Sequence, residues 1–248
     1  MAEPAAPPPL DLARAALFAD LDGTLTPIRP RPQDVGPDAA RAGLLQRLTE
    51  ALGGALAVVS GRGLDDVDRI LEGRISAVAA VHGLVRRTTG GAVIQPPAGA
   101  IAGPVREAVA GFLDVHPALT AEDKGVAITL HYRAAPRLRA AARGFAFRQA
   151  ASNGLVVQDG DMVVELRLPG STKADAVKAF MAEPPFEGRI PVFVGDDLTD
   201  EDGFAGAERF GGHGVIVGPR RPTRARFALD DVDAALAWLA ASLETTQG

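Results

Sequence analysis

The chain contains no cysteine among its 248 residues, which excludes disulfide bonds and thiolate metal sites. A chain without cysteine fits a reducing compartment, and we expect a cytoplasmic protein. Long apolar runs are also missing, since no stretch approaches the length needed to cross a bilayer. The first residues lack the basic start and apolar core of a signal peptide. We therefore expect no membrane partner.

The chain has fewer positively charged than negatively charged side chains. Lys and Arg number 26 against 31 Asp and Glu, a net charge of -5, which argues against nucleic acid bound through a broad basic face. With no cysteine and only four histidines, the chain is also poor in the ligands that zinc prefers. Hydrophobic residues make up 47% and charged residues 23%, which is typical of an ordinary globular protein.

Short apolar runs alternate with amphipathic segments along most of the chain. After a proline-rich stretch, over which residues 1–12 are predicted to form a disordered tail, five apolar runs are predicted to be strands. They are Ala15 to Ala19, Ala55 to Val59, Ile75 to Val81, Pro191 to Gly195 and Gly214 to Val217. Helical patterns separate them, among them one capped by Ser171. The alternation predicts an α/β fold with a Rossmann-like parallel sheet core.

This alternation stops near Pro96 and resumes after Leu168. Between them, two apolar runs joined through Asp159-Gly160 give a strong hairpin signal. A hairpin is antiparallel, so this section has a different, α+β architecture. We predict a catalytic core of residues 1–98 and 169–248, interrupted by an inserted α+β cap domain over residues 99–168.

Two aspartates follow the first predicted strand. Because side chains alternate along an extended chain, Asp20 and Asp22 leave the strand on the same side. Gly23 allows a sharp turn there, and Thr24 adds a hydroxyl group. Two neighbouring carboxylates repel each other unless a cation or a proton lies between them. The alternative interpretation is a strand-to-loop junction in which the acids only cap the turn.

Other polar groups follow the other predicted strands, namely Ser60, His82 and Asp196-Asp197. Asp200 comes one turn later, and Lys173 lies near the start of a predicted helix. In an open parallel sheet, ligands bind at the carboxyl ends of the strands. The set of acids, one hydroxyl and one amine at that edge predicts a phosphate site.

These residue types suit phosphoryl transfer assisted by Mg²⁺, which prefers carboxylate and carbonyl oxygens. We assign Asp20 as the nucleophile that forms an aspartyl-phosphate, and Asp22 as the general acid and base. Ser60 and Lys173 would hold the transferring phosphoryl oxygens.

Each of these assignments has a structural alternative. Ser60 could cap the following helix, and Lys173 could be a solvated first-turn lysine, although helix starts favour acids. Asp197 and Asp200 could cap a helix as readily as contact a metal ion. A lone histidine such as His82 is more often structural than catalytic.

The motifs together resemble those of haloacid-dehalogenase (HAD) superfamily phosphatases, in the same order along the chain. They are Asp20-Leu21-Asp22-Gly23-Thr24, Ser60-Gly61-Arg62, Lys173 and Gly195-Asp196-Asp197-Leu198-Thr199-Asp200. Two cap segments are similar to those of trehalose-6-phosphate phosphatases, namely Glu122-Asp123-Lys124-Gly125 with His131-Tyr132-Arg133, and Val163-Val164-Glu165-Leu166-Arg167. The resemblance extends from Leu17 to the last predicted helix.

The resemblance implies an HAD-like core and Mg²⁺ held by Asp20, the Asp22 backbone and Asp196, with Asp197 and Asp200 as further candidates. It also implies that Ser60, Gly61, Arg62 and Lys173 bind the substrate. Two positions depart from the family pattern: Leu84-Val85 follows His82-Gly83 where an acid is frequent, and Ala174 follows Lys173 where glycine is common.

In the cap, the resemblance implies that Glu122, Lys124 and Glu165 bind the sugar. In an unbroken strand, Glu122 and Lys124 would lie on the same face as the apolar residues after them and would point into the core of the cap. Charged side chains are rarely buried in this way, so we expect the strand to begin only after Lys124. Glu165 lies on the opposite face from Val164 and Leu166, and could instead be a solvent-facing acid.

The implied activity is the Mg²⁺-dependent hydrolysis of trehalose 6-phosphate in trehalose biosynthesis, by a monomer with a small phosphosugar as its only partner. Alternatives that share the core chemistry are a sucrose-phosphate or mannosylglycerate-phosphate phosphatase and a phosphohexomutase-like transferase. A non-catalytic phosphosugar-binding module is the alternative from another class.

Overall fold

A computed structural model of the chain describes residues 5–97, 100–160 and 162–245. The chain divides into two compact units, one formed by residues 1–94 with 171–248 and the other by residues 95–170. The sequence places the first boundary at residues 98 and 99, which lie outside the described residues. Among the described residues, no helix combines the length and the apolar character that a membrane span requires.

The larger unit contains an eight-stranded sheet and five helices among its described residues. Its elements before residue 95 are β1 (Ala15–Ala19), α1 (Ala39–Ala51), β2 (Leu56–Val59), α2 (Leu64–Leu71), β3 (Ala77–Ala80), β4 (Val85–Arg87) and β5 (Val93–Ile94). The smaller unit follows with α3 (Gly103–Val115), β6 (Thr120–Asp123), β7 (Ala127–His131), α4 (Arg139–Asn153), β8 (Val156–Gly160) and β9 (Val163–Arg167). The larger unit resumes with α5 (Lys173–Met181), β10 (Ile190–Gly195), α6 (Asp200–Arg209), β11 (His213–Val217), β12 (Phe227–Leu229) and α7 (Val232–Glu244).

The order of strands in the large sheet is β12-β11-β10-β1-β2-β3-β4-β5. The strands from β12 to β3 are parallel, and β4 and β5 are antiparallel additions at one edge. Every residue of β1, β2 and β3 is buried, as expected for parallel strands covered on both faces. The predicted α/β fold with a parallel core sheet is confirmed.

The smaller unit has an antiparallel sheet in the order β6-β7-β9-β8. One face of this sheet carries Leu130, Val164 and Leu166, which belong to an apolar cluster with side chains of α3 and α4. The polar residues of the same strands alternate with these apolar ones, so they lie on the other face.

The predicted disordered tail over residues 1–12 is wrong for residues 5–12, and residues 1–4 lie outside the described residues. The indole Nε1 of Trp238 donates to Pro8 O at 2.8 Å, and Leu10 N donates to Ser242 Oγ at 3.0 Å. Leu10 and Leu12 are buried. The partners that order this segment lie on α7, more than 200 residues away, so local composition does not reveal them.

Two further details differ from the sequence-based expectations. The cap of α5 is Thr172 rather than Ser171, because Thr172 Oγ1 accepts from Asp175 N while Asp175 Oδ2 accepts from Thr172 N. β7 begins at Ala127, after Lys124 as expected, but residues 120–123, for which no strand was predicted, pair with it as the edge strand β6. β6 is short and polar, which is why its composition gave no strand signal.

Candidate active site

The carboxyl ends of β1 and β10 bring two of the predicted acids together. These strands are parallel neighbours with Ala19 opposite Val194, and Asp20 N donates to Val194 O at 2.9 Å. Asp20 and Asp196 therefore follow adjacent strand ends at the same edge of the sheet. Oxygen atoms of Asp20, Asp196 and Asp200 all lie within 4.8 Å of one another.

Lys173 lies between two of these carboxylates. Its Nζ is 2.7 Å from Asp20 Oδ1 and 2.6 Å from Asp200 Oδ1. Lys173 is only 3% exposed and Asp200 is fully buried, so a solvated first-turn lysine is excluded. Burial lowers the pKa of Lys173, but the two carboxylates outweigh it and raise this pKa above its usual value. The ammonium group stays charged and neutralises part of the acidic cluster.

Asp200 supports the turn that carries Asp196. Its Oδ2 accepts hydrogen bonds from the backbone amides of Asp196 and Asp197, both at 2.9 Å. The N-cap of α6 is Thr199, so Asp200 does not cap this helix. Because its other oxygen binds Lys173, both oxygens of Asp200 are already engaged within the protein.

The remaining negative charge falls on Asp20 and Asp196. Burial raises the pKa of Asp20 well above its usual value, and burial together with the neighbouring Asp200 raises the pKa of Asp196 to about 7. Thr24 Oγ1 lies 3.3 Å from Asp196 Oδ1 and donates to it. Three close carboxylates with one ammonium group form a site that a hard cation would stabilise, and its donors are all oxygen.

Gly23 permits this close arrangement. Its φ is +82°, a conformation that other residues rarely adopt, and a Cβ atom built there would lie 2.1 Å from Asp196 Oδ2. Any other residue at position 23 would displace the Asp196 carboxylate.

Asp22 is bound by Arg62. Arg62 Nε donates to Asp22 Oδ2 at 2.6 Å and its Nη2 donates to Asp22 Oδ1 at 2.8 Å. Arg62 also pairs with Asp66 and donates to Pro32 O. Although burial lowers the pKa of Arg62, these carboxylates raise it further above its usual value. Arg62, which the sequence predicts to bind the substrate, is thus bound in the structure to Asp22, the predicted general acid and base.

Ser60 lies in the loop that follows β2 and is buried. Its Oγ accepts a hydrogen bond from Arg62 N at 3.2 Å. The N-cap of α2 is Gly63, so Ser60 does not cap this helix. Asp66, which helps to hold Arg62, was not identified from the sequence because it looks like an ordinary first-turn acid.

In the smaller unit, two of the three predicted sugar-binding residues, Glu122 and Glu165, lie in a row of polar side chains across one sheet face. Glu122, Thr129, Glu165 and Gln158 occupy equivalent positions on neighbouring strands. Glu165 Oε1 accepts from Lys124 Nζ at 2.8 Å and from Thr129 Oγ1 at 2.7 Å. Glu165 is buried, so it is not a solvent-facing acid. Thr129 was not identified from the sequence, because threonine is common in strands and its presence there does not indicate a binding site.

Comparison with known proteins yields matches over nearly the whole chain. A family model described as trehalose-phosphatase matches residues 18–233. The chain is 40% identical over 243 residues to trehalose-6-phosphate phosphatase of Escherichia coli (strain K12), a match that covers 96% of this chain and 90% of that protein.

Solved structures share the fold of this chain. A trehalose-6-phosphate phosphatase related protein superimposes with a TM-score of 0.77 at 25% identity, over 93% of this chain and 98% of that one. The C-terminal domain of C. albicans trehalose-6-phosphate phosphatase superimposes with a TM-score of 0.81 over 98% and 99% of the two chains. At 23% identity, the second comparison establishes a shared fold alone.

Proposed function

Because the chain belongs to the trehalose-phosphatase family, we propose that it is a phosphoric monoester hydrolase that converts trehalose 6-phosphate to trehalose and phosphate. The family resemblance drawn from the sequence motifs is thereby confirmed. The observation that carries the proposal is the buried ammonium group of Lys173 between Asp20 and Asp200, at 2.7 and 2.6 Å. It lowers the pKa of the nucleophilic Asp20 carboxyl against the larger raising effect of burial, and it places a positive charge beside the oxygens of an incoming phosphoryl group.

In the first step, a carboxylate oxygen of Asp20 attacks phosphorus and the bond from phosphorus to the sugar oxygen breaks. Asp22 enters this step protonated on one oxygen, in place of one of its two hydrogen bonds from Arg62, and gives that proton to the leaving sugar oxygen. In the second step, Asp22 removes a proton from water, which attacks the phosphorus of the aspartyl-phosphate and releases inorganic phosphate and the Asp20 carboxylate. Ser60 and Lys173 stabilise the phosphoryl oxygens in both steps, with Gly61 in the same loop.

We assign Mg²⁺ to the same acidic cluster. Asp20, Asp196 and the Asp22 backbone would hold it, which the oxygen-only donors and the raised pKa of Asp196 support. When bound, the cation neutralises the carboxylates and polarises a phosphoryl oxygen. Asp197 is a further candidate ligand, whereas the oxygens of Asp200 already bind Lys173 and the two backbone amides.

Recognition of the sugar is assigned to the polar face of the cap sheet. Glu165 and Lys124 form a buried ion pair, and Glu122 lies in the same row of the sheet. Carboxylates and an ammonium group fixed in this way can exchange hydrogen bonds with sugar hydroxyls, and a ligand that lacks these hydroxyls leaves the groups unpaired. We place the cap domain at residues 99–168 and propose a cytoplasmic monomer.

A phosphate-release assay over a panel of phosphosugars, with Mg²⁺ and with a chelator, tests this function. We expect trehalose 6-phosphate to give the highest kcat/KM, and chelation to abolish the activity. A preference for sucrose phosphate or mannosylglycerate phosphate would transfer the assignment to that substrate. Binding of trehalose 6-phosphate without release of phosphate would identify a binding module instead.

A further inference from the structure

The turn that follows β3 has an unusual backbone. Val81 and His82 have φ values of +48° and +56°, in the left-handed region that residues other than glycine rarely adopt. For a β-branched residue such as Val81, this conformation is a true outlier. Backbone strain of this kind persists only where the surrounding structure enforces it, and it clusters at functional sites.

This turn holds both ends of the loop that carries Ser60. His82 N donates to Ser60 O at 2.9 Å, and Val81 N donates to Arg62 O at 2.9 Å. Two successive amides of the turn thus donate to the same loop. The strained turn therefore fixes the residues that we assign to phosphate binding and to holding Asp22.

The imidazole ring of His82 covers the middle of the same loop. A Cβ atom built on Gly61 would lie 2.8 Å from both His82 Cε1 and His82 Nε2, so the ring packs directly on the Gly61 backbone. On the other side of the turn, a Cβ atom built on Gly83 would lie 2.7 Å from Ser171 Oγ and 3.1 Å from Thr172 O. These two residues precede Lys173, the first residue of α5.

We propose that His82 is a positioning residue for phosphate binding: its ring, held over Gly61 by the left-handed turn, sets the place of Ser60 relative to Lys173. His82 acts by packing and does not exchange a proton. This inference rests on one part of the proposed function, the binding of a phosphoryl group by Ser60 and Lys173. It does not depend on which phosphate monoester is the substrate.

The test compares His82→Ala and His82→Phe in the Mg²⁺-loaded full chain. Calorimetry measures the Kd of inorganic phosphate, and an aryl phosphate assay gives KM and kcat. We expect His82→Ala to weaken phosphate binding and raise KM roughly tenfold, because small displacements of binding groups are costly. His82→Phe keeps a ring over Gly61 and should restore at least half of this loss on a logarithmic scale.

His213→Ala is the matched control. His213 is the first residue of β11, so it lies at the amino ends of the parallel strands, whereas the site lies at their carboxyl ends. Its ring packs against Phe227. This variant should lower Tm as much as His82→Ala does, with Kd for phosphate within twofold of wild type.

Gly61→Ala tests the same contact from the loop, and keeps the proposal falsifiable if His82→Ala does not fold. The new Cβ atom meets the His82 ring, so phosphate binding should weaken. The double variant Gly61→Ala/His82→Ala removes this clash and should bind phosphate no worse than His82→Ala. If His82→Ala does not fold, the double variant should bind phosphate better than Gly61→Ala.

Wild-type phosphate affinity in His82→Ala would overturn the inference, and so would additive losses in the double variant. A loss as large in His82→Phe as in His82→Ala would also overturn it, since imidazole chemistry would then matter. Calorimetry needs no turnover, so a wild-type protein that binds phosphate but hydrolyses no phosphosugar would refute the proposed function and leave this test intact. Absence of phosphate binding in the wild type would overturn both.

Discussion

Arg62 binds the carboxylate of Asp22 through two hydrogen bonds, from Nε to Oδ2 at 2.6 Å and from Nη2 to Oδ1 at 2.8 Å. This geometry fixes the plane of the carboxylate, because the guanidinium group offers parallel donors at a rigid spacing. Asp66 holds the same guanidinium group from α2. The orientation of the proposed acid and base thus depends on an arginine that the sequence motifs associate with the substrate.

Arg62→Lys should lower kcat about 10- to 100-fold with little change in KM, because a lysine cannot form both bonds and we assign Asp22 to proton transfer rather than to substrate binding. Steady-state kinetics with an aryl phosphate and with trehalose 6-phosphate measure both parameters. Arg69→Lys is the control, since Arg69 pairs with the same Asp66 but is more exposed. A raised KM at unchanged kcat would favour the sequence-based prediction that Arg62 binds the substrate.

Lys173→Met should destabilise the protein by about 3–5 kcal/mol, because it leaves the buried carboxylates of Asp20 and Asp200 without their cation. Urea unfolding measures this difference. Lys178→Met, an exposed lysine on the same helix, should change stability by less than about 0.5 kcal/mol. If both variants unfold at the same urea concentration, Lys173 does not hold the acidic cluster together.

Stability of the metal-free protein should fall as the pH rises from about 4 to about 7. Burial and Asp200 raise the pKa of Asp196 from 3.8 to about 7, so in this window the folded state binds a proton that the unfolded state has lost. The contribution of this group is fully present below about pH 4 and lost above about pH 7, and amounts to roughly 2–4 kcal/mol.

Urea unfolding of wild type and Asp196→Asn over this pH range isolates the effect, since the Asn variant lacks the titrating group. Adding Mg²⁺ should restore the stability of the wild type at pH 8 and leave Asp196→Asn less affected. A wild-type protein whose stability relative to Asp196→Asn rises with pH would contradict the raised pKa.

The core of the site was predictable because the parallel sheet itself brings it together. Once the apolar runs ending at Ala19 and Gly195 are identified as parallel strands, Asp20 and Asp196 must follow strand ends at one edge, although the adjacency of β1 and β10 is known only from the structure. The lysine at a helix start was an informative anomaly, since that position disfavours a positive charge.

What the sequence did not reveal depends on contacts between distant residues. The partnership of Arg62 with Asp22 spans 40 positions, and that of Thr129 with Glu165 spans 36. The strand β6 is polar and mostly exposed, so it lacks the periodicity on which strand prediction relies. The left-handed conformation of Val81 contradicts its local preference and accompanies hydrogen bonds from the turn to Ser60 and Arg62, which follow a different strand.

Glu165→Gln should lower kcat/KM for trehalose 6-phosphate by about 1–3 kcal/mol of transition-state binding, since it removes the charge that Lys124 and Thr129 orient. The same variant should hydrolyse a small aryl phosphate nearly as well as wild type, because that substrate has no sugar to be recognised. Glu107→Gln, an exposed acid on α3, is the control within the same unit. Equal losses on both substrates would show that Glu165 supports the fold rather than specificity.

The central claim is that Asp20 is the nucleophile of a trehalose-6-phosphate phosphatase. Asp20→Asn keeps the size of the side chain and its hydrogen-bonding oxygen but is a far weaker nucleophile. The most direct measurement is phosphate release from trehalose 6-phosphate by wild type and Asp20→Asn at saturating Mg²⁺, with circular dichroism to establish that both are folded. We predict rapid release by the wild type and a rate at least about 10³-fold lower for the variant. A folded Asp20→Asn variant that releases phosphate at a rate near wild type would contradict the mechanism, and a wild type that leaves trehalose 6-phosphate intact would contradict the proposed function.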